Sequence, residues 1–132
     1  MSVELRRRIR SETDASRTVL EATLYSREAG FDEAPSRIIA TAVSELVRNI
    51  LKYAGTGELH LRQVQEFGRR GIEIEAVDEG PGIPDCDQAM RDHYSSSGTL
   101  GLGLPGVKRM MDEFFLESTP GQGTRVTARK WK

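Results

Sequence analysis

TAVSELVRNILKYA (Thr41–Ala54) reads as the second half of a helix beginning near Pro35, and the rest of the chain is organised around it. At about 100° per residue, Glu45, Arg48, Asn49 and Lys52 fall within one arc that also holds Thr41. Ile39, Val43, Leu46, Val47, Ile50 and Ala54 lie opposite. A solvated helix face accounts for the four polar side chains by itself. Asn, however, is a poor helix-interior residue because its amide competes for backbone groups, so its place in a strong helix asks for a reason. A carboxylate, an amide oxygen and a lysine one turn apart suit Mg²⁺ and phosphate oxygens.

The chain has 132 residues, the length of one domain that buries a core without disulfide staples. Its net charge of −1 gives no global field for nucleic acid or anionic lipid. The single cysteine, Cys86, excludes a disulfide framework and a thiolate-rich metal site. No leader-like apolar segment opens the sequence and no run approaches the roughly 18 apolar residues of a membrane span, so a cytoplasmic protein is expected.

Val3, Leu5 and Ile9 alternate with charges as in an edge strand, and Arg6, Arg7, Arg8 and Arg10 read as its solvated face, since no aromatic residues interleave. Asp14 or Ser16 is the expected cap of a helix running to about Ala29 and closed by Gly30. Asp32 or Ser36, with Pro35, opens the central helix, which Gly55 and Gly57 end. Glu58 to Phe67 and Arg70 to Asp78 read as a hairpin turning at Gly68 to Gly71. Glu79 to Leu100 is rich in Gly, Pro, Asp and Ser and reads as a long loop, with one short helical turn near Gln88 to Asp92. A short amphipathic helix over Leu102 to Asp112 follows, then strands over Phe114 to Ser118 and Thr124 to Trp131. The expected fold class is α/β (α+β), a two-layer sandwich. Its mixed, mostly antiparallel sheet of about five strands is covered on one face by about three helices.

Asp78 is the most informative single residue. Along Gly71-Ile-Glu-Ile-Glu-Ala-Val-Asp78, the core-facing set at period two is Ile72, Ile74, Ala76 and then Asp78. A carboxylate that closes a buried row needs a partner. A backbone donor at the following loop would serve, and so would the exocyclic amine of a purine. Gly80 and Gly82 follow at once and permit close backbone approach. A second glycine set, Gly98-Thr-Leu-Gly101-Leu-Gly103-Leu-Pro-Gly106, leads into a helix whose first amides suit phosphate. Gly101 to Gly106 also spells GxGxxG, but no buried strand precedes it, so the dinucleotide-binding context is missing. His60 and His93 lack metal-pair spacing, Ser95, Ser96 and Ser97 lack triad partners, and Cys86 between two aspartates is not an activated thiolate.

Together these segments resemble the GHKL (Bergerat-fold) ATPases over Ser36 to Trp131. Glu45-Leu-Val-Arg-Asn49-Ile-Leu-Lys52-Tyr53 is similar to the family's N box, and Asp78-Glu-Gly-Pro-Gly82 to its first glycine box. Gly101-Leu-Gly103 is similar to the second, and Gly121-Gln-Gly123-Thr124 to the final G-x-G-T turn. Within the superfamily, the run from Gly98 to Val126 resembles stand-alone serine/threonine kinases of bacterial partner-switching (stressosome) modules.

The resemblance implies ATP and Mg²⁺ as cofactors, Glu45 as general base toward a protein hydroxyl and Asn49 as Mg²⁺ ligand. It implies Lys52 as phosphate contact, Asp78 as adenine reader, Gly80, Gly82 and Ile83 as shapers of the adenine pocket, and Thr124 in support. Gly98, Thr99, Leu100, Gly101, Leu102 and Gly103 would approach the phosphates, Arg48 would support the site, and Asp85 to Leu100 would form the ATP lid. The implied partners are a STAS-domain antagonist and its scaffold paralogue as substrates, a PP2C-type phosphatase to activate, and a second copy in a homodimer. Nucleic acid and membrane are not expected partners. The competing reading is an anti-sigma factor that sequesters a sigma factor and phosphorylates its antagonist. A histidine-kinase catalytic domain ranks behind both, because no predicted helix carries a phosphoacceptor histidine.

Overall fold

Strict alternation in the strand Arg69–Asp78 buries Ile72, Ile74 and Ala76 on one side, and this side faces the helices. The computed structural model describes residues 3–82 and 103–132. In chain order these form β1 (Leu5–Ile9), α1 (Glu12–Glu28), α2 (Glu33–Tyr53), β2 (Gly57–Glu66), β3 (Arg69–Asp78), α3 (Gly103–Met110), β4 (Glu113–Thr119) and β5 (Gly123–Trp131). The sheet order is β1-β2-β3-β5-β4.

Every neighbouring pair is antiparallel, where the sequence suggested a partly parallel sheet. The connections explain the difference. Two helices separate β1 from β2, so the chain re-enters the sheet reversed, and β5 reaches β3 only after the β4–β5 hairpin has turned it round. The α/β two-layer class with five strands and three helices holds among the described residues.

Ile39, Val43, Leu46, Val47 and Ile50 of α2 pack on Leu59, Leu61, Ile72, Ile74, Val126 and Ala128 of the sheet. The oily stripe of α2 is thus the floor of the helical layer, which leaves its polar stripe to face elsewhere. The cap of α1 is Ser11, ahead of both residues expected from the sequence. Its hydroxyl accepts from Asp14 N at 3.2 Å, while the Asp14 carboxylate accepts from Arg10 N at 3.0 Å. The cap hydroxyl thus holds the N3 amide, while the N3 carboxylate reaches one residue beyond the cap to the Arg10 amide, a variation on the capping box. Asp32 holds the cap position of α2 without a side-chain bond, and Ser36 lies inside that helix, donating to Phe31 O at 3.2 Å.

The arginine cluster of β1 is engaged in ion pairs. Arg7 binds Glu21 through two bonds of 2.9 and 2.8 Å, Arg6 meets Glu4 at 3.0 Å, and Arg8 lies 3.9 Å from Glu58. His60, on the open sheet face, sits between Glu58 at 2.9 Å and Glu75 at 3.2 Å, which accounts for it structurally. On the same face the Glu73 carboxylate is buried between Arg62 and Arg129, the latter at 2.8 Å. Burial pushes the Glu73 carboxyl up, but the hydrogen bonds of the two guanidinium groups outweigh it and hold the group below its ordinary range.

The β2–β3 turn is tighter than the sequence suggested. Its two central residues, Phe67 and Gly68, have φ of +51° and +79°, a type I′ geometry. Phe67 is 96% exposed there, so it bears left-handed strain with no burial in return. Phe67→Asn is expected to raise stability by about 0.5–1 kcal/mol in urea unfolding, because Asn tolerates this region. No gain in the midpoint would show that the strain is absent.

Candidate functional site

Amphipathic packing of α2 fixes where its polar stripe goes. With Leu46 and Ile50 held in the core, Asn49 and Tyr53 come to the edge of the helical layer, above the ends of β3 and β5. A narrow cleft lies there. Leu46, Asn49, Ile50 and Tyr53 line it from α2, Ala76 and Asp78 from β3, and Thr124 and Val126 from β5. The structure thus brings together Asn49, Asp78 and Thr124, which are far apart in the chain.

Asp78 is 8% exposed, and among the described residues its one side-chain hydrogen bond comes from Gly80 N, at 3.0 Å from Oδ1. The local backbone donor is therefore real and occupies one oxygen. The carboxylate nevertheless retains acceptor capacity at the cleft wall, which is what an exocyclic amine would need. The loop after Asp78 is held from two sides. A Cβ at Gly80 would lie 2.5 Å from the Ala54 Cβ at the end of α2. A Cβ at Gly123, whose φ is +110°, would lie 2.1 Å from the Asp78 carbonyl oxygen. Gly121 N also donates to Pro81 O at 2.8 Å, which ties the β4–β5 turn to this loop.

Glu45 lies one helical turn before Asn49 and is only 4% exposed. Burial pushes its carboxyl above the ordinary range, against a backbone hydrogen bond from Gly103 and the charge of Arg48. That bond joins the polar stripe of α2 to the first residue of α3, so the start of the second glycine-rich helix stands beside Glu45. Arg48 is more exposed, 3.4 Å from Ser44 Oγ and 3.7 Å from Glu12. Lys52 is exposed on the last turn of α2, its ammonium 5.3 Å from the centroid of the Tyr53 ring. Gly82 is buried at the end of the described loop, with Thr119 and Ser118 as its neighbours. The expectations for Ile83, Gly98, Thr99, Leu100, Gly101, Leu102 and the lid lie outside the described residues.

Sequence reasoning missed Ser118. Its hydroxyl is 3.0 Å from Thr124 Oγ1 and bonds Gly123 O at 3.3 Å.

An acidic strand end facing an amide-bearing helix across a narrow cleft is an arrangement that suits a nucleotide, and comparison with known proteins identifies the class. Residues 34–132 match the family model described as histidine kinase-, DNA gyrase B-, and HSP90-like ATPase, and the chain belongs to that family. Within it, the chain stands with the partner-switching kinases. It is 52% identical over 106 residues to serine/threonine-protein kinase RsbT of Bacillus subtilis (strain 168), covering 80% of each chain. It is 32% identical over 120 residues to the anti-sigma F factor of Thermoanaerobacter sp. (strain X514), covering 88% of this chain and 82% of that one. Among solved structures, the histidine kinase domain of the Erythrobacter litoralis EL346 blue-light activated histidine kinase aligns with a TM-score of 0.52 at 25% identity. The alignment covers 73% of this chain and 44% of that one. A chain of the SiaB-SiaC complex from Pseudomonas aeruginosa aligns with a TM-score of 0.57 at 12% identity over 98% of this chain and 89% of that one, a likeness of fold.

Proposed function

We propose that the chain is an ATP- and Mg²⁺-dependent protein serine/threonine kinase whose acceptor is a STAS-domain antagonist or scaffold protein. The observation that carries this reading is the convergence of Asp78 and Asn49 on one cleft, with buried Glu45 one turn further along the same stripe.

Asp78 accepts the adenine amine while Gly80 keeps the carboxylate aimed, and Thr124 lies beside it. Asn49 offers a hard oxygen to the metal. Asn49 would be the residue of the stripe that holds the metal, whose hard-cation chemistry suits an amide oxygen and phosphate oxygens. Mg²⁺, when bound, neutralises charge on the phosphate oxygens. Lys52, at the end of the stripe, is the phosphate contact. Glu45 takes or orients the proton of the acceptor hydroxyl, for which a pKa raised by burial suits it. Phosphoryl transfer asks little covalent chemistry of the protein, so a small scaffold suffices if the partner's surface presents the hydroxyl in line. This reading places one kinase domain in the cytoplasm, with docking on a PP2C-type phosphatase and pairing with a second copy as further roles.

Incubation with Mg²⁺, γ-labelled ATP and a purified STAS-domain partner should place acid-stable label on a Ser or Thr. An acid-labile phosphohistidine, or no transfer to any STAS partner, would contradict the reading. The similarity to anti-sigma F factors supports a second role, capture of a sigma factor. Nucleotide-dependent co-elution with a purified sigma factor would establish that branch, and its absence alongside kinase activity would leave the switch kinase.

A further inference from the structure

We propose that Ser118 is a positioning residue that fixes the polarity of the Thr124 hydroxyl, so that the pocket distinguishes a 6-amino purine from a 6-oxo purine. The inference rests on the adenine reading above and deepens it.

Three side chains stand in one row across three strands. Asp78 of β3 is paired in register with Thr124 of β5, and Thr124 with Ser118 of β4. Directly paired residues on one sheet face have Cβ atoms about 4.5–5.5 Å apart, so the row is continuous. Asp78 and Thr124 are each 8% exposed and line the cleft. Ser118 stands behind Thr124, on the far side from Asp78.

Proton counting gives the row a direction. Each hydroxyl has one proton and two lone pairs. Ser118 Oγ donates to the Gly123 carbonyl at 3.3 Å. Either hydroxyl can donate in its 3.0 Å contact with Thr124 Oγ1, and with the Ser118 proton committed to Gly123 O that bond is assigned to the Thr124 proton. Thr124 therefore turns lone pairs toward the cleft, beside a carboxylate that also only accepts. Two adjacent acceptors match an amino group, which brings two N–H donors. A 6-oxo group brings a lone pair to the same place and meets repulsion. Once Ser118 is lost, Thr124 is released to rotate and donate, and the pocket tolerates either substituent. Discrimination by polar groups that a wrong ligand leaves unpaired is a general source of specificity.

The test is calorimetric binding of ATP and of inosine triphosphate, which carries the 6-oxo group, both with Mg²⁺. Wild type should prefer ATP, and Ser118→Ala should reduce that preference about tenfold, the worth of one well-placed hydrogen bond. Ser118→Thr, which keeps a hydroxyl on an edge strand, should restore it. In a Thr124→Val background there is no hydroxyl to orient, so adding Ser118→Ala should leave the ratio unchanged. A merely structural role would weaken both nucleotides alike. An unchanged ATP-to-inosine-triphosphate ratio in Ser118→Ala, or a further drop on the Thr124→Val background, overturns the relay and leaves the adenine reading intact. Equal binding of the two nucleotides by wild type would overturn the adenine reading itself.

Discussion

Replacing Glu45 with Ala is expected to slow phosphoryl transfer by about 10²- to 10⁴-fold, the usual worth of a positioned general base, while ATP still binds. Two physical features single Glu45 out. It is a carboxylate buried within a helix of otherwise routine amphipathic design, and burial has raised its pKa. The sign of the pH dependence follows. A base works deprotonated, so activity should fall as pH falls through the folded-state pKa, which lies above the ordinary Glu range. The fall should come at a higher pH than for a solvent-exposed carboxylate, and it should vanish from the residual rate of the Ala variant.

Glu45→Gln separates chemistry from packing, since its amide oxygen can still accept the Gly103 N–H. A carboxyl whose pKa is raised on folding stabilises the fold at low pH and loses that contribution as pH rises from the unfolded to the folded pKa. At neutral pH the ionised group is a net cost, so Glu45→Gln should keep or raise the thermal midpoint while activity is lost. Labelling of a partner that survives in both variants would remove Glu45 from the mechanism.

The second large effect concerns recognition. Asp78→Asn is expected to weaken ATP binding by about ten- to a hundredfold, the range for losing a hydrogen bond to an ionised group. The amide oxygen of the substituted side chain still accepts from Gly80 N, so the loop should keep its place. Its NH₂ would then face the cleft and confront the purine amine with another donor. GTP, which brings a 6-oxo group, should gain or hold where ATP loses. Calorimetry on both nucleotides reads this directly, and an unaltered ATP affinity would detach Asp78 from the pocket.

Much of this site was legible in the sequence because two simple periods carry it. Period two along Ile72, Ile74, Ala76 and Asp78 announces a carboxylate on the core face, and the 3.6 period of Thr41–Ala54 places Glu45 and Asn49 on one stripe. What neither period contains is the pairing between strands. Ser118 in Glu-Ser-Thr-Pro-Gly looks like any polar residue near a turn until the register sets it beside Thr124 and, through it, Asp78. The antiparallel character of the whole sheet was hidden for the same reason, since β3 and β5 are neighbours in space with α3 and β4 between them in the chain. The α1 cap was legible in Ser11-Glu-Thr-Asp14, a Ser-x-x-acid signature that begins ahead of Asp14 and Ser16, the two expected caps. Phe67 was not legible as a turn residue, because nothing in an aromatic side chain favours positive φ.

On the proposed function, the acidic end of β3 and the polar stripe of α2 serve one metal-nucleotide complex. Nuclear magnetic resonance with Mn²⁺-ATP in place of Mg²⁺-ATP tests it most directly. Mg²⁺-ATP should shift the backbone amides of Gly80 and Thr124, and its Mn²⁺ counterpart should broaden the side-chain amide of Asn49 at the same nucleotide concentration. Shifts at Gly80 and Thr124 with a sharp, unmoved Asn49 amide would place the metal elsewhere and contradict the account.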